Sequence, residues 1–393
     1  MRFSSIDIVC HVVDNFGDAG VVYRFAKEFL LAHPLCRVRI LCDDLAPLAA
    51  MCPEIDPLRP LQELRGLTIV DSRALAPSLV GQLGAADIVV EAFGCDIPEP
   101  YRGLLLPRAR AWINLEYLSA EPWVDGYHKR QSLWGGFGPR KYFYMPGFTK
   151  DTGGVIIDTR VEQLKPDIAT HRADHVNGFL EPFGLDGAAT GDDLLGTVFT
   201  YSRGFDTLLR DLQDAGKRSF LFVCGEKAQR GMRATLRRLN GEMLGESQFR
   251  FGAAIVLFMP FVPQQRFDEL LCVSDFNFVR GEDSLVRAIL AGKPFIWSAY
   301  VQEKRYHLVK VDALCTAFAQ YFCDSLVFHR YRELLKSFND CGEESEEQAT
   351  GEHFDCFFRD LKKVEHSTRE MSYFMTRNCN LVKKFSDFLS EIS

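Results

Sequence analysis

Twice along this chain, short apolar segments alternate with helix-patterned ones, and that alternation restricts the fold more than any other feature. In the first half, residues 6–13, 37–42, 67–70, 88–92 and 111–115 read as strands. Between the first two, a helix over about 19–32 places Val22, Phe25, Ala26, Phe29 and Leu30 on one face. A Gly-, Pro- and aromatic-rich stretch follows at 120–190, ending in a linker at 184–193. A second series then begins. Residues 194–201, 220–224, 253–258, 276–279 and 295–298 read as strands, and 204–215, 227–240, 264–272 and 283–291 as helices. The pattern predicts an α/β fold of two Rossmann-like, doubly wound domains, 1–185 and 190–365, facing each other across a cleft. A length of 393 residues suits two domains. The acidic segment 342–352 reads as a solvated loop, and 366–391 as one long helix.

Composition removes several classes. A net charge of −7 argues against direct nucleic-acid binding. Twelve cysteines are scattered without a CxxC pair, several inside apolar runs, as expected of reduced core thiols in a cytoplasmic protein. The start lacks a signal-peptide layout, and no apolar run reaches the roughly 20 residues of a membrane helix. No Cys or His cluster has metal spacing, so no metal or cofactor is expected. A monomer is the expected state.

Chemistry-bearing motifs fall at the carboxyl ends of strands, where open parallel sheets bind ligands. The stretch RGEDSLVRAILAGKPFIW, 280–297, follows a buried strand. Asp283 or Ser284 sits where a helix N-cap belongs, and free N–H groups there favour a phosphate. Glu282 is out of place beside a phosphate and should meet a cation or a hydroxyl. In the first half, DNFGDAG, 14–20, joins the first strand to the first helix. Its glycines permit a tight turn, but the spacing is not GxGxxG and no GxxxxGK[ST] occurs, which disfavours nicotinamide and P-loop chemistry. Its carboxylates, Asp14 and Asp18, suit a cationic or hydroxylic acceptor, and one could act as base. A turn residue and a helix cap are the simpler reading of the same two residues. In FMPFVPQQRFDELL, 258–271, Phe261 is held between prolines and could stack a base, with Gln264 or Gln265 reading its edge. A loop Phe covering the core fits equally. WINLEYLSAE, 112–121, ends a strand with Asn114 and Glu116, either lining the cleft or decorating a sheet edge. Asp43 and Asp44 read as a turn or cap rather than a metal site.

Taken in order, DNFGDAG, NLEYLSAE, FTKDTGGVI (148–156), PFVPQQRFDELL and RGEDSLVRAILAGKPFIW resemble the EarP family, the protein-arginine rhamnosyltransferases of elongation factor P. The resemblance runs from about residue 6 to 311 and weakens into the tail. It implies a GT-B fold whose final helix, about 366–393, crosses back to the first domain. It also implies dTDP-β-L-rhamnose as donor, an arginine of elongation factor P as acceptor, inversion, and no metal. By motif position Asp14, Asp18 and Glu282 would be catalytic, with Asp18 the base. Tyr201, Phe261, Gln264, Arg280, Asp283, Ser284 and Tyr300 would bind the donor, and Asn15 and Glu116 the acceptor. The chain departs from the family pattern after Trp297: it has SAYVQEK at 298–304 in place of the usual run, retaining Gln302 and His307. The alternatives are a GT-B transferase for another sugar or acceptor, and a non-catalytic sugar-nucleotide-binding protein.

Overall fold

The structure, a computed structural model, describes residues 3–14, 16–133, 138–340 and 352–392. It divides into one unit of Met1–Thr159 with Met375–Ser393 and a second of Arg160–Phe374.

The first unit is built on strands β1 (Ser5–Cys10), β2 (Arg37–Cys42), β3 (Leu61–Leu64), β4 (Leu67–Asp71), β5 (Ile88–Ala92), β6 (Ala111–Leu115) and β7 (Arg140–Tyr144). Their order is β3-β4-β2-β1-β5-β6-β7, parallel except for β3 against β4. Strands such as β1 are buried along their whole length, and the one charge β1 carries, Asp7, is neutralised there by the buried Arg39 of β2 (2.6 Å). The winding reverses between β1 and β5, where doubly wound sheets open a ligand crevice. Helix Phe16–Ala32 follows β1 and sinks Val22, Phe25, Ala26 and Phe29 into the core.

The second unit repeats the plan with β8 (Leu194–Val198), β9 (Ser219–Val223), β10 (Glu242–Gly245), β11 (Gln248–Phe251), β12 (Ala254–Phe258), β13 (Phe276–Arg280) and β14 (Phe295–Ser298). Their order is β10-β11-β12-β9-β8-β13-β14, with antiparallel pairing only at β10-β11-β12 and the reversal between β8 and β13.

Several expectations need correction. The chain enters the second unit at residue 160, not near 185. Helix Thr159–Leu180 buries Val161, Ile168, Val176, Phe179 and Leu180 with Leu195, Phe220 and Phe222 of the second core, so its apolar face decides where it belongs. The long terminal helix is two helices, Asp355–Asn378 and Leu381–Glu391, because the Asn380 side chain accepts the Lys383 N–H (3.0 Å) and caps a new start. The second of them places Leu381, Val382, Phe385, Phe388 and Leu389 in the first unit's core. The sequence pattern does not mark strands β3, β7, β10 and β11, which are short, partly exposed and weakly patterned. Residues 342–351 of the acidic segment lie outside the described residues, but Glu352 is buried against Arg203 rather than solvated. The aromatic-rich tail forms a layer on the second sheet: Phe318 stacks on Phe295 (5.5 Å), and Phe338, Phe354 and Phe357 pack on Phe276 and Phe278.

The described cysteines are free thiols, most of them buried, and burial pushes Cys224 and Cys272 up to about 12. Among the described residues no helix is long and apolar enough to cross a membrane.

Candidate active site

Each unit carries one constellation at its winding reversal. In the first, the chain leaves β1 and turns into helix Phe16–Ala32 through DNFGDAG. A Cβ at Gly17 would lie 2.5 Å from the Asp14 Oδ2, so glycine is what lets that carboxylate fold over the helix start. The Gly17 N–H donates to the Asp14 carbonyl (2.6 Å). Asp18, in the first helical turn, is 2% exposed. Its Oδ2 accepts the N–H groups of Val13 (2.9 Å) and Asp14 (2.8 Å), and its Oδ1 accepts the Tyr117 hydroxyl (3.1 Å). Asp18 therefore reaches back over the loop, as an N3 acid does, and is also held by a residue from the loop after β6. Tyr117 stacks on Phe93 (centroids 4.3 Å apart, planes 11°), which follows β5 with φ +60°.

Asp14 is exposed beside this buried carboxylate. Glu116 is half-buried, its Oε1 accepting the Asn114 amide (2.6 Å), while the Asn114 Oδ1 accepts the Gly94 N–H (3.1 Å). Because β7 covers β6, Asn114 sits on an interior strand, so the sheet-edge reading fails. Deeper, buried Glu91 is paired through both oxygens with Lys141 (2.9 Å each), whose ammonium lies 4.3 Å from the Trp112 ring centre. Burial pushes the Glu91 carboxyl up; Lys141 opposes that and Glu116 adds to it. Adjacent β1, β5 and β6 thus present Asp14, Asp18, Glu91 and Glu116 at one end of the sheet. Asn15 lies outside the described residues. Asp43 and Asp44 are turn residues: Asp43 accepts the Val12 N–H (2.9 Å) and pairs with His11, and Asp44 accepts the Ala46 N–H (3.0 Å).

In the second unit, helix Gly281–Ala291 begins earlier than expected. Neither Asp283 nor Ser284 caps it. Arg280 occupies the cap position in extended conformation, and Gly281 at φ +64° makes the turn. The Ser284 hydroxyl is committed to the Arg280 main chain, accepting its N–H (3.1 Å) and donating to its carbonyl. Asp283 faces Arg287 (3.6 Å), and Glu282 meets a cation, Lys310 (3.8 Å), from helix Tyr306–Ala319. The Arg280 guanidinium lies over Phe199 (4.4 Å) and Tyr201 (5.1 Å), and Tyr300 meets Tyr201 edge-on (5.5 Å). Tyr201, Arg280, Tyr300 and the helix start form one group. Phe261, 58% exposed, and Gln264, the first residue of helix Gln264–Val273, stand on the loop after β12. Tyr300 also borders an open hollow of about 690 Å³ with Val301, Gln302, Glu303 and Tyr306. In the altered loop, Lys304 and Arg305 both have positive φ, and buried His307 accepts the Gln302 N–H (3.2 Å) while its Nε2 bonds the Asn339 carbonyl (3.0 Å). That makes His307 an anchor of the loop. Among the described residues no His, Cys, Asp or Glu side chains are grouped to hold a metal ion.

Tyr117, Phe93, Phe199 and Lys310 escaped sequence reasoning. Tyr117 adjoins Glu116 in a motif already singled out. Nothing local marks Phe199, which reads as strand, or Lys310, which reads as an ordinary helix residue.

The family model described as elongation-factor P (EF-P) rhamnosyltransferase EarP matches residues 6–390. A protein-arginine rhamnosyltransferase of Pseudomonas aeruginosa is 36% identical over 328 residues, 82% of this chain and 83% of that one. Its namesake in Pseudomonas putida is 37% identical over 326 residues, 81% of each. A solved structure concerned with EarP-mediated arginine glycosylation of translation elongation factor EF-P superposes with a TM-score of 0.63 at 23% identity, covering 98% of this chain and 99% of that one. The two doubly wound units are those of a GT-B glycosyltransferase, and this chain belongs to the EarP family.

Proposed function

We propose that this protein transfers L-rhamnose from dTDP-β-L-rhamnose to an arginine side chain of translation elongation factor P, with inversion. The relatives' names and the family model support the reading. The observation that carries it is the buried Asp18, fixed by three donors beside exposed Asp14 at the first unit's winding reversal.

An arginine guanidinium stays protonated, its nitrogen lone pairs delocalised, so it needs both orientation and a proton acceptor. Asp14 and Glu116 hold the fork by charge-assisted hydrogen bonds. Asp18 takes a proton from one guanidinium nitrogen as that nitrogen bonds to the anomeric carbon. The bond from that carbon to the diphosphate oxygen breaks, and its electron pair leaves with dTDP. The start of helix Gly281–Ala291 and Arg280 stabilise the departing diphosphate. Glu282 faces the cationic sugar in the transition state, and Lys310 positions its carboxylate. Phe261 and Gln264 hold the nucleoside, Tyr201 and Tyr300 line the donor site beside the diphosphate, and Asp283 and Ser284 shape the helix start. The reading invokes no metal or cofactor, and it places the protein in the cytoplasm as a monomer, away from membranes and nucleic acid.

The test is the intact mass of elongation factor P after incubation with this protein and dTDP-β-L-rhamnose. A gain of one deoxyhexose on an arginine supports the reading. An unchanged mass with active protein and authentic acceptor overturns it.

A further inference from the structure

We infer that Lys227 is a further donor-binding residue, the second of two cations that hold the diphosphate of a nucleoside diphosphate beside Tyr201. The inference rests on the donor reading above and names a residue outside the motifs that suggested it.

The sheet order carries the argument. β8 lies between β9 and β13, so the loops leaving these three strands are neighbours at one end of the sheet. Tyr201 is on the central loop. Arg280 comes from β13 on one side, its guanidinium 5.1 Å from the Tyr201 ring centre. Lys227 comes from the other side, in the first turn of helix Glu226–Arg238 after β9, its ammonium 5.4 Å from the same ring. Tyr201 is thus approached by cations from both neighbouring strands. Two helices also begin here, Glu226–Arg238 and Gly281–Ala291, and neither start is capped by a side chain. Their first-turn N–H groups and positive dipole ends add to the two cations.

The charge around Lys227 favours an anion that is not part of the protein. Lys227 is exposed and makes no ion pair among the described residues. The adjacent Glu226 is exposed and directed to Arg230 (4.0 Å). A lysine needed only for stability would be expected to pair within its own helix; this one lies instead over an aromatic ring at a strand end. A diphosphate beside Tyr201 would be met by a planar guanidinium from one strand and a point-charge ammonium from the other. The nucleoside itself carries no charge, so its binding should not depend on Lys227.

The experiment titrates the full chain with dTDP and, separately, with thymidine by calorimetry, comparing wild type, Lys227→Met and Lys227→Arg. The expected result is about a tenfold loss of dTDP affinity in Lys227→Met, recovery of most of it in Lys227→Arg, and unchanged thymidine binding. Unchanged dTDP affinity in Lys227→Met overturns the inference. So does an equal loss for both ligands, because it would place Lys227 on the nucleoside or in the fold. Wild-type protein that binds neither ligand overturns the donor reading and this inference with it; wild-type binding with an indifferent Lys227→Met sinks the inference alone.

Discussion

Replacing Asp18 by asparagine separates chemistry from structure. Three donors converge on this side chain: two backbone N–H groups at 2.8 and 2.9 Å on one oxygen and the Tyr117 hydroxyl at 3.1 Å on the other. An asparagine carbonyl can keep both backbone bonds, and its amide can donate to the Tyr117 oxygen if that hydroxyl turns round. The substitution removes the charge and the proton acceptor while leaving the loop bonded. Losing charge assistance on the two backbone bonds should cost about 1–2 kcal/mol, or roughly 2–4 °C in melting temperature for a chain of this size. A positioned general base contributes about 10²–10⁴ in rate. Turnover should therefore fall about a thousandfold, ~4 kcal/mol in the barrier.

The assay is single-turnover rhamnosylation of elongation factor P followed by intact mass, with thermal melting and dTDP calorimetry alongside. The donor residues belong to the second unit, so dTDP affinity should stay within about twofold, inside the few tenths of a kcal/mol by which independent sites depart from additivity. Turnover within threefold of wild type in a folded Asp18→Asn protein would refute the base assignment and leave Asp18 as a loop strut. A melting temperature lowered by more than 10 °C would refute the claim that asparagine satisfies the same donors. Tyr117→Phe, which withdraws one donor and keeps the stacked ring, should reduce turnover far less than Asp18→Asn.

Other outcomes follow from individual contacts. Gly17→Ala places a methyl 2.5 Å from the Asp14 Oδ2 and should displace that carboxylate, raising the KM for elongation factor P more than it changes the melting temperature. Glu282→Gln removes a charge that faces Lys310 across 3.8 Å and should lower turnover by about 10²-fold, with dTDP affinity retained in calorimetry. Phe261→Ala should weaken dTDP by about tenfold, within the ~1–3 kcal/mol of a base–aromatic stack, while a melt stays unchanged because the ring is 58% exposed. Burial lowers His128 from 6.5 to about 4. The unfolded chain then takes up a proton below pH 6.5 that the folded protein takes only near 4. The His128 contribution to stability should fall by up to about 3 kcal/mol as pH drops through that window and level off below it; urea unfolding should show a steeper slope in wild type than in His128→Asn, the remaining slope coming from groups such as His33, which burial also lowers.

The main sheets are legible because strands buried on both faces need largely apolar segments, and the largely apolar 37–42, 88–92 and 111–115 coincide with β2, β5 and β6. What sequence could not supply was decided by contacts distant along the chain. Helix Thr159–Leu180 looks like an appendage of the first unit until its apolar face is seen in the second core. Local capping rules favour Asp or Ser and so set the start of helix Gly281–Ala291 too late, whereas the Gly281 backbone makes the turn and Ser284 bonds backward. Glu282 is expected to meet a cation or a hydroxyl, yet the cation it meets, Lys310, lies 28 residues on, in a helix whose docking no local pattern encodes.

The two constellations differ in what makes them readable. In the first unit the acidic residues of DNFGDAG adjoin in sequence, and their glycine spacing already implies a turn that brings Asp14 and Asp18 together. In the second, the cations around Tyr201 come from residues 227 and 280, which no motif joins. They meet because β9 and β13 flank β8, and that order is a property of how the whole sheet winds. A motif search recovers Arg280, which sits inside RGEDS, and passes over Lys227, which opens an unremarkable amphipathic helix. Where a sheet reverses its winding, the residues just past the two strands beside the central one should be examined as a pair, because topology makes them neighbours whatever their separation in sequence.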